Sequence, residues 1–151
     1  MDKTDRQIIA ALQRDGRQKL ADLSERIGLS PTPLARRIAR LEKEGIITGY
    51  SARVDQEKLG LPLNIFIFVE LEKQTRAAIT AFERDLRRFE EVMECFLMTG
   101  TRDVLIRVVA ADLAAFDRFL EDGLMQTENI RSMRSSFALR TMIRRNALPQ
   151  D

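Results

Sequence analysis

Along the first third of the chain, apolar residues recur with helical spacing in three short runs. Ile8, Ile9 and Leu12 supply one face of a helix that Thr4 and Gln7, at capping-box spacing, open and Asp15-Gly16 closes. Leu20, Leu23 and Ile27 recur at i, i+3 and i+7, which leaves Asp22, Glu25 and Arg26 on the wet side of a second helix. Gly28 ends that helix, because glycine takes the left-handed conformation without a Cβ penalty. Ser30 caps a third helix, and Pro31 and Pro33 fall in its first turn, where the missing amide hydrogens have no helical partner. Leu34, Ile38 and Leu41 form its buried stripe, and it runs on to Glu44 before Gly45. Ile46, Ile47, Tyr50 and Val54 then have strand character around Gly49, as a short wing or a strand leading outward. Residues 55–62, punctuated by Gly60 and Pro62, read as a linker.

Past the linker the period changes. Residues 63–71 are rich in β-branched and aromatic side chains and predict a buried strand; 76–89 has helical spacing through Ile79, Phe82, Leu86 and Phe89. Residues 92–99 and 104–110 predict two strands about a turn at Gly100. Asp112 caps a helix through Leu113, Phe116, Phe119 and Leu120, and 130–142 supplies a last strand. The order βαββαβ predicts an α+β, ferredoxin-like domain: a four-stranded antiparallel sheet with both helices on one face. With Ile65, Ile67, Val69, Phe96 and Ile106 among its alternating residues, the sheet is expected to need a partner subunit on one face, hence at least a homodimer. The expected domains are 1–54, a linker over 55–62, and 63–151.

Charge sharpens the first domain. Residues 1–60 carry twelve Lys and Arg against nine Asp and Glu, whereas 61–151 carry thirteen against fourteen. A net charge of +2 says little by itself, so the position of the arginines has to carry the argument. Between Ser30 and Leu41 stand Arg36, Arg37 and Arg40 and no acid. A helix, a glycine turn and a second helix of this kind, with the small Ser24 four before the glycine, suit insertion into a DNA major groove. Ser30, Thr32, Arg36, Arg37 and Arg40 are the candidate contacts.

The chain has one cysteine and no histidine, which excludes an internal disulfide and the usual metal spacings. Cys95 is expected to be reduced and partly buried. No Gly-rich phosphate loop is present, and the acids Glu90, Glu91 and Glu94 fall in a helix-to-strand connection, so common catalytic constellations lack a part. No catalytic residue, metal or cofactor is expected. The longest apolar run is broken by Pro62, Asn64 and Glu70 and is too short to span a bilayer, so a cytoplasmic, membrane-free protein is expected.

Over nearly its whole length the chain resembles the Lrp/AsnC (feast/famine) transcription regulators, through MDKTDRQIIAALQRDGR, LSERIGLSPTPLARRIARLEKEGIITGY, CFLMTGTRDVLIRVV and SFALRTMIRRNALP. The resemblance implies an N-terminal winged helix-turn-helix, a C-terminal amino-acid-sensing domain, dimers that can build octamers, and a pseudo-palindromic operator on double-stranded DNA. It places the recognition helix on Ser30, Thr32, Arg36, Arg37 and Arg40. It also places a small amino-acid-like effector against Met98, Thr99, Gly100, Thr101, Arg102 and Asp103, with Ser135 and Ser136.

The effector turn departs from the family's usual glycine, acid, aromatic, Asp, aromatic. Gly100 and Asp103 are kept, while Thr101, Arg102 and Val104 replace the acid and both aromatics, and Ile143 replaces a frequent lysine. Asp103 suits an ammonium group and Arg102 a carboxylate; equally, the turn reads as an ordinary hairpin with a solvated Arg-Asp pair. Two other functions stand beside the ligand-responsive regulator. One is an architectural DNA-binding protein without an effector; the other is an enzyme similar to the sirohaem decarboxylases, whose histidine chemistry this chain lacks.

Overall fold

A computed structural model describes residues 1–149, so the last two residues of the domain expected over 63–151 lie outside the described residues. The chain forms two compact units: Met1–Arg53 together with the segment from Met142, and Val54–Thr141. The terminal segment therefore groups with the first unit, where the amide of Leu148 donates to Gln13 Oε1 at 2.6 Å.

The first unit holds α1 (Lys3–Arg14), α2 (Leu20–Ile27) and α3 (Pro31–Lys43). Ile8, Ala11, Leu23, Leu34 and Leu41 are buried together, with Ile9, Leu12, Ile27, Leu29, Ile38 and Ile47 packed around them. Burying each of the larger aliphatic side chains contributes about 1.5–3 kcal/mol, which is what holds three short helices in one arrangement. The cap of α1 differs from expectation. The helix starts a residue before Thr4, so Asp2 becomes the N-cap and Asp5 the third helical residue. Asp5 N–H donates to Asp2 Oδ1 at 2.8 Å, and Asp2 N–H to Asp5 Oδ2 at 3.0 Å, a capping box built from two aspartates. Ser30 occupies the N-cap of α3, but its side chain makes no capping bond. Pro33, at the third helical position, has no amide hydrogen to offer.

Among the described residues no strand lies between Lys43 and Leu63, so the wing is not a β-structure. Instead, Gly45 turns back at φ 70° and the amides of Ile46 and Ile47 donate to Leu41 O, which seats Ile47 on the core. Tyr50 follows, its hydroxyl donating to Glu42 Oε1 at 2.9 Å. Residues 55–62 are a hydrogen-bonded turn: Asp55 Oδ1 accepts from the amides of Glu57 and Lys58, and Leu59 N–H donates to Asp55 O.

The second unit holds β1 (Leu63–Leu71), α4 (Arg76–Leu86), β2 (Val92–Leu97), β3 (Val104–Ala110), α5 (Leu113–Arg118) and β4 (Ile130–Phe137). The sheet is antiparallel, in the order β2-β3-β1-β4, the predicted ferredoxin-like arrangement. Both α4 and β2 end earlier than expected, and β4 stops at Phe137, five residues short of the predicted end at 142. Beyond α5 the chain widens into a π turn over Phe119–Gly123 and a 3-10 turn over Leu124–Gln126, which together keep Phe119 and Leu124 in the core.

Ile65, Ile67, Val69 and Leu71 of β1 lie under Phe82, Leu86, Phe116 and Phe119 from the helical side. Ile106 pairs with Ile67 and shares that buried face. Of the residues expected to await a partner, Ile65, Ile67, Val69 and Ile106 are thus already covered. Phe96 alone is on the other face, opposite Leu105 and half exposed. Alternation groups residues by face without saying which face the helices take. The uncovered face carries Phe66, Phe68, Leu105 and Phe96 among Asn64, Glu70 and Arg107.

Candidate nucleic-acid interface and effector turn

The turn between α2 and α3 is tightly built. Gly28 takes φ 75°, the amides of Gly28 and Leu29 donate to Ser24 O, and the buried Ser24 hydroxyl donates to Leu29 O. Ser24 therefore satisfies backbone groups as well as allowing close packing. Leu34 and Leu41 point α3 into the core, and Thr32, Ala35, Arg36 and Ala39 are exposed.

The three arginines divide. Arg37 donates to Asp2 Oδ2 at 2.6 Å and to Asp5 Oδ1 at 2.8 Å; Arg40 donates to Asp5 Oδ2 at 2.6 Å. Asp5 is only 1% exposed, so it is a buried charge fully supplied with donors from α3 and from the Asp2 amide. Burial pushes the Asp5 carboxyl up, but the Asp2 amide, the Arg37 hydrogen bond and the Arg40 charge outweigh it and hold it below its ordinary value. Asp2 is lowered chiefly by the Asp5 amide and then by Arg37. Arg37 in turn is raised by its hydrogen bonds to Asp2 and Asp5. Arg36 is exposed and has no hydrogen-bond or ion-pair partner among the described residues. Sequence reasoning missed Asp2 and Asp5; their spacing as a second capping box was the available signal.

The predicted effector turn lies beside the end of β1. Met98 N–H donates to Asp103 O at 2.8 Å, and Asp103 N–H to Val69 O at 3.0 Å. The Asp103 carboxylate accepts from Leu71 N–H at 2.7 Å and from Gln74 Nε2 at 2.8 Å. Arg102 pairs with Glu70, at 3.2 Å, and not with Asp103 as in an ordinary solvated hairpin pair. Met98, Thr99, Gly100 and Thr101 are exposed, and Gly100 takes φ 121°. Ser135 and Ser136 are not brought to this turn. They pair with Ile67 and Phe66 on opposite faces, whereas the residue of β4 beside the turn is Ser132, whose hydroxyl donates to Glu70 Oε2. Ser132 became visible only through the β1–β4 register.

Among the described residues no cluster of acids and cysteine could hold a metal ion, and no helix is long and apolar enough to cross a membrane. Cys95 is exposed on the edge strand β2, contrary to the expectation of partial burial. The surrounding protein still desolvates its thiol enough to push it up, with Glu83 adding to the effect.

A three-helix unit with a helix-turn-helix, followed by an antiparallel α+β unit, is the two-domain plan of a class of transcription regulators. Residues 1–48 match the winged helix-turn-helix DNA-binding family, and residues 64–148 match the Lrp/AsnC ligand binding domain. The chain belongs to the Lrp/AsnC family. It is 42% identical to the Bkd operon transcriptional regulator of Pseudomonas aeruginosa, over 99% of this chain and 97% of that protein. It is 32% identical to the leucine-responsive regulatory protein of Escherichia coli, over 98% of this chain and 90% of that one. A transcriptional regulator of Neisseria meningitidis, solved in complex with L-Met, superposes with a TM-score of 0.92 at 36% identity, covering 99% of this chain and 96% of that one. An AsnC family regulator of Agrobacterium tumefaciens gives 0.93 at 34% identity, over 99% and 97%.

Proposed function

We propose that this chain is a sequence-specific transcription regulator that binds a pseudo-palindromic operator as a homodimer or larger assembly, and that a small amino acid shifts its assembly or its DNA binding. The observation that carries the reading is the exposed, basic α3 on the same chain as a ligand-binding domain of the Lrp/AsnC family. Recognition is assigned to α3 from Ser30 onward, within a DNA-binding domain of 1–54. The uncovered sheet face with Phe66, Phe68, Phe96 and Leu105 supports self-association of the domain from 63 onward. The protein works where the chromosome is, in the cytoplasm. The relatives named above are transcriptional regulators, and no chemistry is assigned to this chain.

The effector is placed at Met98–Asp103. Thr99, Gly100 and Thr101 are exposed there, and a neighbour's complex with L-Met supports an amino acid. Ser135 and Ser136 would join this site only from a second copy of the chain. A second reading, regulation without an effector, is favoured by one observation: the Arg102 and Asp103 side chains are already engaged within the fold. A thermal-shift screen with the twenty amino acids separates the two. At about 100 times Kd a true effector stabilises by roughly 2.7 kcal/mol, and silence from every compound with DNA binding intact favours the second reading. DNA binding itself is tested by a salt series. Contact with roughly six to ten phosphates gives a slope of log K on log salt of about −5 to −9, and a flat response would remove the DNA function.

A further inference from the structure

The third helix presents to solvent a stripe that differs from the charge pattern of its sequence. At 3.6 residues per turn, Thr32, Arg36, Ala39 and Lys43 lie within one narrow sector opposite Leu34 and Leu41, with Ala35 at its edge. All five are exposed. Arg37 flanks the buried side, and both it and Arg40 are held by the Asp5 carboxylate. Turning either guanidinium toward DNA would strip a buried anion of a charged donor. Arg36 stands free, two turns of short side chains beside it.

We infer that base reading in this chain falls to the Thr32–Arg36–Ala39 stripe, with Arg36 on a guanine and the flanking methyl groups on neighbouring thymines, while Arg37 and Arg40 position the helix. The inference rests on the DNA-binding function proposed above and adds the chemistry of the operator. An unpaired guanidinium pairs bidentately with guanine O6 and N7, and small methyl-bearing side chains pack on the thymine methyl. The stripe has no Asn or Gln to read adenine and no Asp or Glu to accept from cytosine. The nearest acid, Glu42, lies off the stripe and accepts from Tyr50. The two alanines let the helix backbone approach the floor of the groove, and Lys43, at the far end, suits a phosphate. The half-site is therefore built around guanine and thymine contacts.

The test uses the full-length protein and duplexes with a random core, from which wild type, Arg36→Ala, Arg36→Lys, Arg37→Ala and Arg40→Ala each select binding sites. Wild type is expected to select a guanine flanked by thymine in each half-site. Arg36→Ala loses the guanine preference, with about 5- to 150-fold weaker binding to the selected duplex. Arg36→Lys keeps the salt slope and weakens the preference without abolishing it, because an ammonium still donates to guanine O6 and N7 but lacks the planar bidentate fork. The Arg37 and Arg40 variants bind less tightly yet select the same sequence. Replacing the selected thymines by deoxyuridine, which removes only the methyl, weakens wild-type binding several-fold. The inference is overturned if Arg36→Ala selects the wild-type sequence, if Arg37→Ala or Arg40→Ala flattens a base preference, or if deoxyuridine has no effect. Failure of wild type to select any sequence would instead remove the DNA-reading function, and shows before any variant is compared.

Discussion

Asp5, near the start of α1, and Arg37, thirty-two residues later on α3, are joined by a 2.8 Å hydrogen-bonded ion pair whose acidic member is buried. The same carboxylate holds Arg40 through its other oxygen. Together with the buried Leu34 and Leu41, the pair ties α3 to α1. Asp5→Ala should lower the stability of the first unit by about 1–3 kcal/mol, less than a fully buried pair because the two guanidiniums stay partly hydrated. Urea unfolding followed by the helical signal measures it. A loss under about 0.3 kcal/mol would show that the apolar core alone orients α3.

Acid should act on the same cluster. Asp2 and Asp5 both have folded values below their ordinary 3.8, so their contribution is fully present above that value and is lost as pH falls through the lowered folded values. Between pH 7 and 5 both groups are ionised in the folded and unfolded chain, and no slope is expected from them. Comparing wild type with the Asp2→Asn, Asp5→Asn double variant below about pH 4 isolates the effect. The variant should lose less stability on acidification, and parallel curves would contradict the assignment.

At the candidate effector turn, Asp103 satisfies the amide of Leu71, a residue only 2% exposed. Asp103→Ala should cost about 1–3 kcal/mol in unfolding free energy by leaving that amide without an acceptor. Asp103→Asn, which keeps an acceptor oxygen, should recover at least half of the loss. Equal losses in the two variants would mean that the negative charge, and not the hydrogen bond, is what matters.

Gly123 closes the π turn after α5. A Cβ placed there would lie 2.8 Å from Phe89 Cε1, and that ring is itself packed edge-on against Phe119 at 5.5 Å. Gly123→Ala should therefore destabilise the second unit by about 1–3 kcal/mol through overpacking. In a double-mutant cycle with Phe89→Leu the two effects should fall short of additive, since the smaller side chain makes room. Full additivity would place the strain elsewhere.

The uncovered sheet face makes the assembly testable at one residue. Phe96, 48% exposed opposite Leu105, should tolerate Phe96→Asp within the monomer fold yet weaken self-association about 30-fold or more. Sedimentation velocity across a concentration series reads the shift. An unchanged assembly would move the interface off this face.

Local chemistry made much of the fold legible. Gly28, the proline-bearing start of α3 and the Leu34, Ile38, Leu41 stripe marked the reader, because the residues that define a turn and a helix face lie within a dozen positions of one another. The strand order followed from alternating periods and short connections. Hidden from the sequence were relations set by tertiary register. Nothing local says that Arg37 and Arg40 turn back to Asp5, or that Glu70 faces Ser132 and not Ser135. Apolar residues as far as Met142 carry the expected end of β4 to 142, although pairing with β1 ends where Ile65 meets Phe137.

The bond from Leu148 to Gln13 spans 135 residues, and the segment from Met142 belongs with the first unit. Topologically, Val54–Thr141 is an insertion in the chain of the DNA-binding unit. The three helices precede the inserted sheet in the chain, so their apolar core can pack before the sheet is made, whereas the Leu148 amide reaches Gln13 only after it. The order of synthesis thus lets the terminal segment dock only onto a first unit whose partner domain has already been made.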